Sequence, residues 1–356
     1  MSKKECISLS VGLLMVAYTI GCRLYTPMAD FYSLHIYPII SGGLSLISSL
    51  IPFSMQEVTI VFVILMAIAL IFVSRKKRWG WKRLVRYEFS ILMWLYVWFY
   101  MAWCNNYSRS SIFARTGTQY AQYDESVLID LANGFIAQIN DAWTAEMNYT
   151  QEELEADIKA FYNSQPAYYG LTATHTWQHP KDASFFGLYS SVGTLGFMAP
   201  LFAESCLNSE LQDFDYPFVY AHELSHLLGV SNEAEANWWA YQACTSSDNQ
   251  AIRYSGYKGV FTYLYNNLYM ALPQEEFKTI VSQVRPEVIA DINNSSEYWR
   301  QRRSETIRNV QHSIYDMFLK SNSVTSGVKN YSEVIQMIIS IPQSMPQPPY
   351  DYQGRP

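Results

Sequence analysis

The sequence predicts a mainly α fold with a small β element: three transmembrane helices, then an α+β domain outside the membrane. Three observations predict it. The long apolar runs are confined to residues 1–104, the remainder repeats apolar residues at helical spacing, and that repeat lapses once, between Gly187 and Leu211. Only 16% of the 356 residues are charged, where an ordinary soluble protein carries about a quarter. The deficit is local to the N-terminal part.

Residues 1–104 read as a membrane domain. A span needs about 20 mainly apolar residues, and three segments offer it: about 5–24, 57–74 and 84–104, the last rich in Trp and Tyr. The first follows Lys3 and Lys4 and reads as an uncleaved anchor, because "YTIGCRLYT" lacks the small-x-small pattern of a signal-peptide cleavage site. Positive charge stays cytoplasmic. Lys3, Lys4 and the loop "SRKKRWGWKRLVR" share one side if there are three spans, which leaves everything after Trp103 outside. Residues 35–54, "HIYPIISGGLSLISSLIPFS", are apolar enough to suggest a fourth span. Pro38, Gly42, Gly43, Pro52 and the recurring serines interrupt them, and a fourth span would expel the basic loop. They are expected as an interfacial or re-entrant segment beside the outer domain.

Residues 105–340 form that outer domain, long enough to bury a real core. "DESVLIDLANGFIAQINDAW" has helical periodicity from Asp124 and Glu125, and "TQEELEADIKAFYNS" opens on Thr150 and Glu153, a capping box. Further helices are expected over Tyr220–Tyr241, Tyr257–Leu272 and Ser296–Leu319. "GLYSSVGTLGFMAPLFAESCLN" between them suggests a short strand, in which Glu204 is expected as a solvent-facing or salt-bridged residue. Residues 341–356 are a proline-rich tail, extended or disordered. The net charge of −6 offers no basic field for nucleic acid, so a nucleic-acid partner is excluded. The five cysteines form no C-x-x-C pair, which excludes a thiolate zinc site. Cys206 and Cys244, the two beyond the apolar region, are either buried thiols or a disulfide.

The chemistry concentrates in "AHELSHLLGVSNEAEANWWAY", Ala221 to Tyr241. His222 and His226 are one helical turn apart, so both rings leave one face and can reach one Zn²⁺ at about 2 Å each. Glu223 follows the first histidine and is placed to act as general base on water at the metal. A catalytic site needs a third protein ligand and an open position. Gly229 can turn the chain, and Ser231 or Asn232 can cap a second helix that brings back Glu233 or Glu235; two residues apart, only one can face inward. Glu233 is preferred, because Asn237 follows it one turn later and can serve as the amide holding a ligating histidine. Glu235 remains the alternative ligand. Arg253, Tyr254 and Tyr257 in "RYSGY" are candidates to stabilise an oxyanion. His175, His179 and His312 have no partner at ligand spacing and read as surface or core residues.

"HELSH" followed by "NEAEAN" resembles a gluzincin, the metallopeptidase group with a glutamate ligand on a later helix. In its thermolysin-like members that motif reads N-E-x-x-x-D, which Asn232, Glu233 and Asn237 match with Asn in place of Asp. The E-x-E-A-N form also resembles the peptidase site of the ImmA/IrrE-type regulators. The gap between His226 and Glu233 is shorter than in that pattern. "WCNNYSR", "GFMAPLFAESCLN", "PFVYAHELSHLLGVSNEAEANWWAYQAC", "RYSGY" and "SGVKNYSEVIQMI", in this order, resemble the bacterial membrane family known as domain of unknown function 3810, regarded as zincin-like.

The resemblance implies a zincin-like catalytic domain at 105–340, carried on the outer face of a bacterial cytoplasmic membrane. The expected activity is hydrolysis of peptide bonds in a peptide or protein substrate near the bilayer. The alternative is a non-catalytic zinc-binding envelope sensor or scaffold. An intact Glu223 argues against that alternative, because a structural zinc favours a closed four-ligand site.

Overall fold

The computed structural model describes residues 3–121, 124–305, 317 and 333–341. The N-terminal apolar run forms α1 (Lys3–Leu24), and α2 (Thr26–Phe31) follows, with Pro27 in its first turn, where a missing N–H costs nothing. A π-helical turn at Tyr32–Ile36 leads into α3 (Tyr37–Ser49). Ser54 caps α4 (Met55–Lys76) by accepting from the Glu57 N–H, and α5 (Trp81–Ala102) returns alongside.

Among the described residues two helices, α1 and α4, are long and apolar enough to cross a membrane. Three were expected, so α5 corrects the reading of 84–104 as a third equivalent span. Lys82, Arg83, Arg86 and Glu88 lie in its first half, and its Trp and Tyr tips are polar. Those tips find partners on α1: Tyr87 Oη donates to Glu5 (3.1 Å) and Trp94 Nε1 to Ser8 (3.0 Å). Met93 lies so close to Gly12 that a Cβ there would meet its Cε at 2.1 Å. Aromatic polarity thus serves helix pairing and lowers the hydropathy of α5.

The expected interfacial segment is helical and docked. The buried face of α3 holds Tyr37, Ser41, Ser45 and Ser48. Trp177 Nε1 donates to Ser45 Oγ (3.1 Å) and Lys181 Nζ to the Ser48 carbonyl (2.7 Å).

Beyond it lie α6 (Ile112–Thr116), α7 (Glu125–Ala142), α8 (Gln151–Ser164), β1 (Lys181–Asp182), α9 (Phe186–Val192), β2 (Gly196–Ala199) and β3 (Glu204–Leu207). Asp124 caps α7, and α8 carries the full Thr150–Glu153 capping box, as the sequence predicts. The strands order β1–β3–β2, with β1 parallel and β2 antiparallel to β3, so β2 has one unpaired edge.

Five helices follow: α10 (Tyr216–Leu227), α11 (Glu233–Thr245), α12 (Gln250–Ala271), α13 (Gln274–Val281) and α14 (Pro286–Arg302). Then α15 (Val334–Ser340) closes the described part. α12 starts earlier than the expected Tyr257, because Asn249 caps it. The helix expected over Ser296–Leu319 instead begins at Pro286 and ends at Arg302, because Arg303 is extended. Residues 306–316, with His312, and most of the tail lie outside the described residues. α11 is buried on every face through Cys244 and packs between α10 and α12, which makes it the centre of the core.

Glu204, expected as solvent-facing or salt-bridged, is buried and paired to Lys181 at 2.6 Å. It also accepts from the Met55 and Gln56 N–H groups at 3.0 and 3.2 Å, completing the N-terminal cap of α4. Glu57 returns the contact by accepting from the Ser184 and Phe185 N–H groups. Cys206 and Cys244 are buried free thiols.

Candidate metal centre

α10 places His222 and His226 one turn apart, and the chain reverses at Gly229. There φ is +97°, a left-handed conformation that glycine adopts without penalty. Asn232 then caps α11 by accepting from the Glu235 N–H, so Glu233 is the first residue of the returning helix. The reversal brings three donors together. The two Nε2 atoms are 3.1 Å apart, and Glu233 Oε2 lies 3.3 Å from His222 Nε2 and 3.6 Å from His226 Nε2. Ligands around a tetrahedral zinc at about 2.0–2.1 Å are about 3.3 Å from one another. The donor set therefore has the edge lengths of one face of that tetrahedron.

His226 is oriented by its other nitrogen, Nδ1, which is 2.7 Å from the Val230 carbonyl. This is the tautomer-fixing contact that a ligating histidine needs. Asn237, expected in that role, instead donates to Tyr263 Oη at 3.4 Å. Glu235, the alternative ligand, points away. It is paired with the buried Arg115 guanidinium and accepts from Trp239 Nε1 at 3.3 Å.

The electrostatics of the cluster call for positive charge. Burial alone would push the Glu233 carboxyl up, but His226 and His222 hold it well below the usual carboxylate range. Burial alone would push the His226 imidazole down; the charges of Glu233 and Glu223, with the hydrogen bonds, bring it up to about 9. A buried carboxylate held between two titratable imidazoles fits a metal ion in place of their protons.

Glu223 stands outside the donor triangle, against β2. Burial raises its pKa, opposed by the two histidines and by the Met198 N–H. The approach to β2 is close: a Cβ on Gly196 would meet Glu223 Cγ at 2.8 Å, so a larger residue there would displace the Glu223 side chain.

These groups line a cavity of about 970 Å³. One wall is the unpaired edge of β2 (Gly196, Phe197, Met198), and another is α12, through Lys258, Gly259, Thr262 and Tyr263. Gln56, Phe99, Trp103 and Tyr107 from the N-terminal helices close a third side, whereas no α3 residue lines it.

Tyr254 and Tyr257 are not brought to the cavity. Tyr254 donates to Asp291 at 2.6 Å, and Tyr257 packs edge-on against Phe135 and Tyr241. Arg253 donates to the Ser247 and Asp248 carbonyls at the start of α12. Tyr263, which the sequence reading missed, is the α12 tyrosine on the cavity side. Also missed was the grip on the end of α10. Trp103 Nε1 donates to the His226 carbonyl and Tyr37 Oη to that of Leu227, both at 2.8 Å, and Arg109 donates to Gly229. They satisfy terminal carbonyls that the helix itself leaves open.

The sequence matches the family described as protein of unknown function (DUF3810) over residues 32–339. The chain belongs to DUF3810. The match runs from the π-helical turn to α15 and so includes α3, α4, α5, the sheet and both motif helices. No curated protein and no solved structure matches this DUF3810 chain.

Proposed function

We propose that this DUF3810 protein is a membrane-anchored zinc metallopeptidase with a zincin-like outer domain. One observation carries the reading: the His222–His226–Glu233 triangle of zinc-ligand dimensions, with the separate buried carboxylate of Glu223 beside it in one cavity. His222, His226 and Glu233 would hold Zn²⁺, which when bound supplies a Lewis acid and lowers the pKa of water toward 7.

The chain's own groups account for the rest. Glu223 takes a proton from the attacking water and passes it to the leaving amine nitrogen. Its raised pKa, caused by burial, helps it hold that proton between the two steps. Tyr263 faces the same space; burial first, then the Glu233 charge, lift its hydroxyl to about 12, so it stays protonated and able to donate to a developing oxyanion. The unpaired edge of β2 offers backbone groups to an extended peptide.

The helix ends support sidedness. α1 and α5 start side by side, with Tyr87 and Arg86 on Glu5, and α4 ends at Lys76 just before α5 begins, so Lys3, Lys4 and Arg75 to Arg86 lie together. With positive charge inside, the outer domain faces away from the cytoplasm. Alkaline phosphatase fused after Cys104 is expected to be active; an inactive fusion reverses this sidedness.

The enzymatic test uses the full chain purified in detergent, screened against a peptide library beside Glu223→Gln. Cleavage by wild type and none by the variant, with zinc present in both, is the expected result. Zinc retained without any Glu223-dependent cleavage would favour the scaffold reading.

A further inference from the structure

We propose that α9 and the residues just before it are seated in the bilayer surface, so that the cavity opens at the membrane and receives polypeptides that are themselves membrane-anchored. The substrate half of this inference rests on the peptidase reading.

The argument begins with depth. α4 has 22 residues and rises about 33 Å, which matches a hydrocarbon core of about 30 Å. Its first turn therefore lies at one membrane interface. That turn pins two parts of the outer domain to the same level. Glu57 accepts from the Ser184 N–H (3.0 Å) and the Phe185 N–H (3.4 Å), immediately before α9. Gln56 Oε1 accepts from the Leu201 N–H (3.0 Å) in the β2–β3 turn. The Leu201 carbonyl in turn accepts from Trp98 Nε1 at 2.8 Å, one turn below the end of α5, with Phe202 against the Trp98 ring.

At this level the domain presents large apolar side chains outward: Phe185, Phe186 and Leu188 are 50%, 46% and 56% exposed. They add to the exposed apolar surface of α4, which begins at Val58 and Ile60, and to that of the turn between α3 and α4 at Leu50 and Phe53. α3 has the same two-sidedness, serines toward the domain and Ile39, Leu46 and Ile47 away from it. A face of this kind, continuous with helices long enough to span, fits the acyl boundary rather than water.

The consequence concerns access. The same short helix contributes Tyr189 and Val192 to the cavity, one turn along from Phe185 and Leu188, and Gln56, Phe99 and Trp103 at the helix ends line it as well. The membrane-facing edge of the domain is thus one wall of the candidate site. A segment within a few residues of a membrane anchor meets that wall at its own level, whereas a soluble peptide has to descend to it.

Two experiments on the full chain in lipid nanodiscs test this. In a Cys6→Ser background, spin labels at Phe186→Cys and Leu188→Cys are compared with Leu14→Cys within α1 and with Glu152→Cys on the exposed face of α8. Labels at 186 and 188 are expected to collide with oxygen in preference to a water-soluble nickel chelate, as at 14. The preference seen at 152 would overturn the seating.

In the second, one cleavable sequence is presented free and fused to a transmembrane helix. The fused form is expected to be cut about tenfold or more faster, since a shared bilayer raises its effective concentration. Phe186→Asp with Leu188→Asp should remove that preference while leaving cleavage of the free peptide unchanged. Equal rates for the two forms in wild type overturn the substrate assignment. If Glu223→Gln alters the cleavage of neither, the peptidase reading falls and the substrate half with it, while the label depths still decide the seating.

Discussion

Glu233 and Glu235 sit two residues apart on α11, both buried, and their surroundings differ in one respect. Glu235 is sealed against Arg115, whose Nε and Nη1 donate to the Tyr169 and Ser110 carbonyls; this charge has a permanent cation held in place by the backbone. Glu233 faces the cavity and has two imidazoles for company. A carboxylate paired with guanidinium is a component of the fold, since removing one partner strands the other's charge. A carboxylate paired with imidazoles can exchange their protons for a metal. Burial is the same on both faces, and the titratability of the partner separates structure from chemistry.

Changes on the cavity side should therefore cost function and spare the fold, and changes on the sealed side the reverse. The largest effect expected is on catalysis: Glu223→Gln should lower peptide cleavage by about 10²–10⁴-fold with zinc content unchanged. Steady-state assays with metal analysis check it. Next, Glu235→Ala should destabilise the protein by about 3–5 kcal/mol by stranding Arg115. Glu233→Gln should change metal-free stability far less once the pH is above about 9, where the His226 ion pair is already lost, and denaturant titration in detergent compares the two.

A pH effect distinguishes the faces further. The metal-free His226 pKa is raised from 6.5 to about 9, so its ion pair with Glu233 contributes fully below pH 6.5 and is lost as pH rises through about 9. Zinc bound by His226 would displace that proton. Zinc affinity measured by calorimetry should thus rise about tenfold per pH unit over this range and level off above it. The smallest effect expected is at the turn between the helices, where Gly229→Ala should cost about 1–2 kcal/mol for its left-handed backbone.

What could be read from the sequence was local. The i, i+4 histidines, the Gly229 turn, the Asn232 cap and the position of Glu233, not Glu235, beside the histidines all lie within 21 residues, where helix periodicity fixes direction. The capping box of α8 is local in the same way. What spacing could not give were partners distant in the chain: Arg115 for Glu235, Trp103 for the His226 carbonyl, Lys181 for Glu204. The tyrosines failed on phase. Tyr254 and Tyr257 are on α12 but off the stripe, Lys258 to Tyr263, that faces the cavity, and that stripe is set by how α12 packs on α10. α5 was overestimated as a span because its aromatic residues, counted as apolar, use their polar tips against α1.

The central claim is that α10 and α11 build a zinc site on one face of a buried helix pair. Elemental analysis of the full chain purified without added metal tests it most directly. The account predicts one zinc per chain in wild type and in Glu223→Gln, and none in Glu233→Gln. A wild-type protein free of zinc that fails to take it up at neutral pH, or a Glu233→Gln variant that keeps it, would contradict the account.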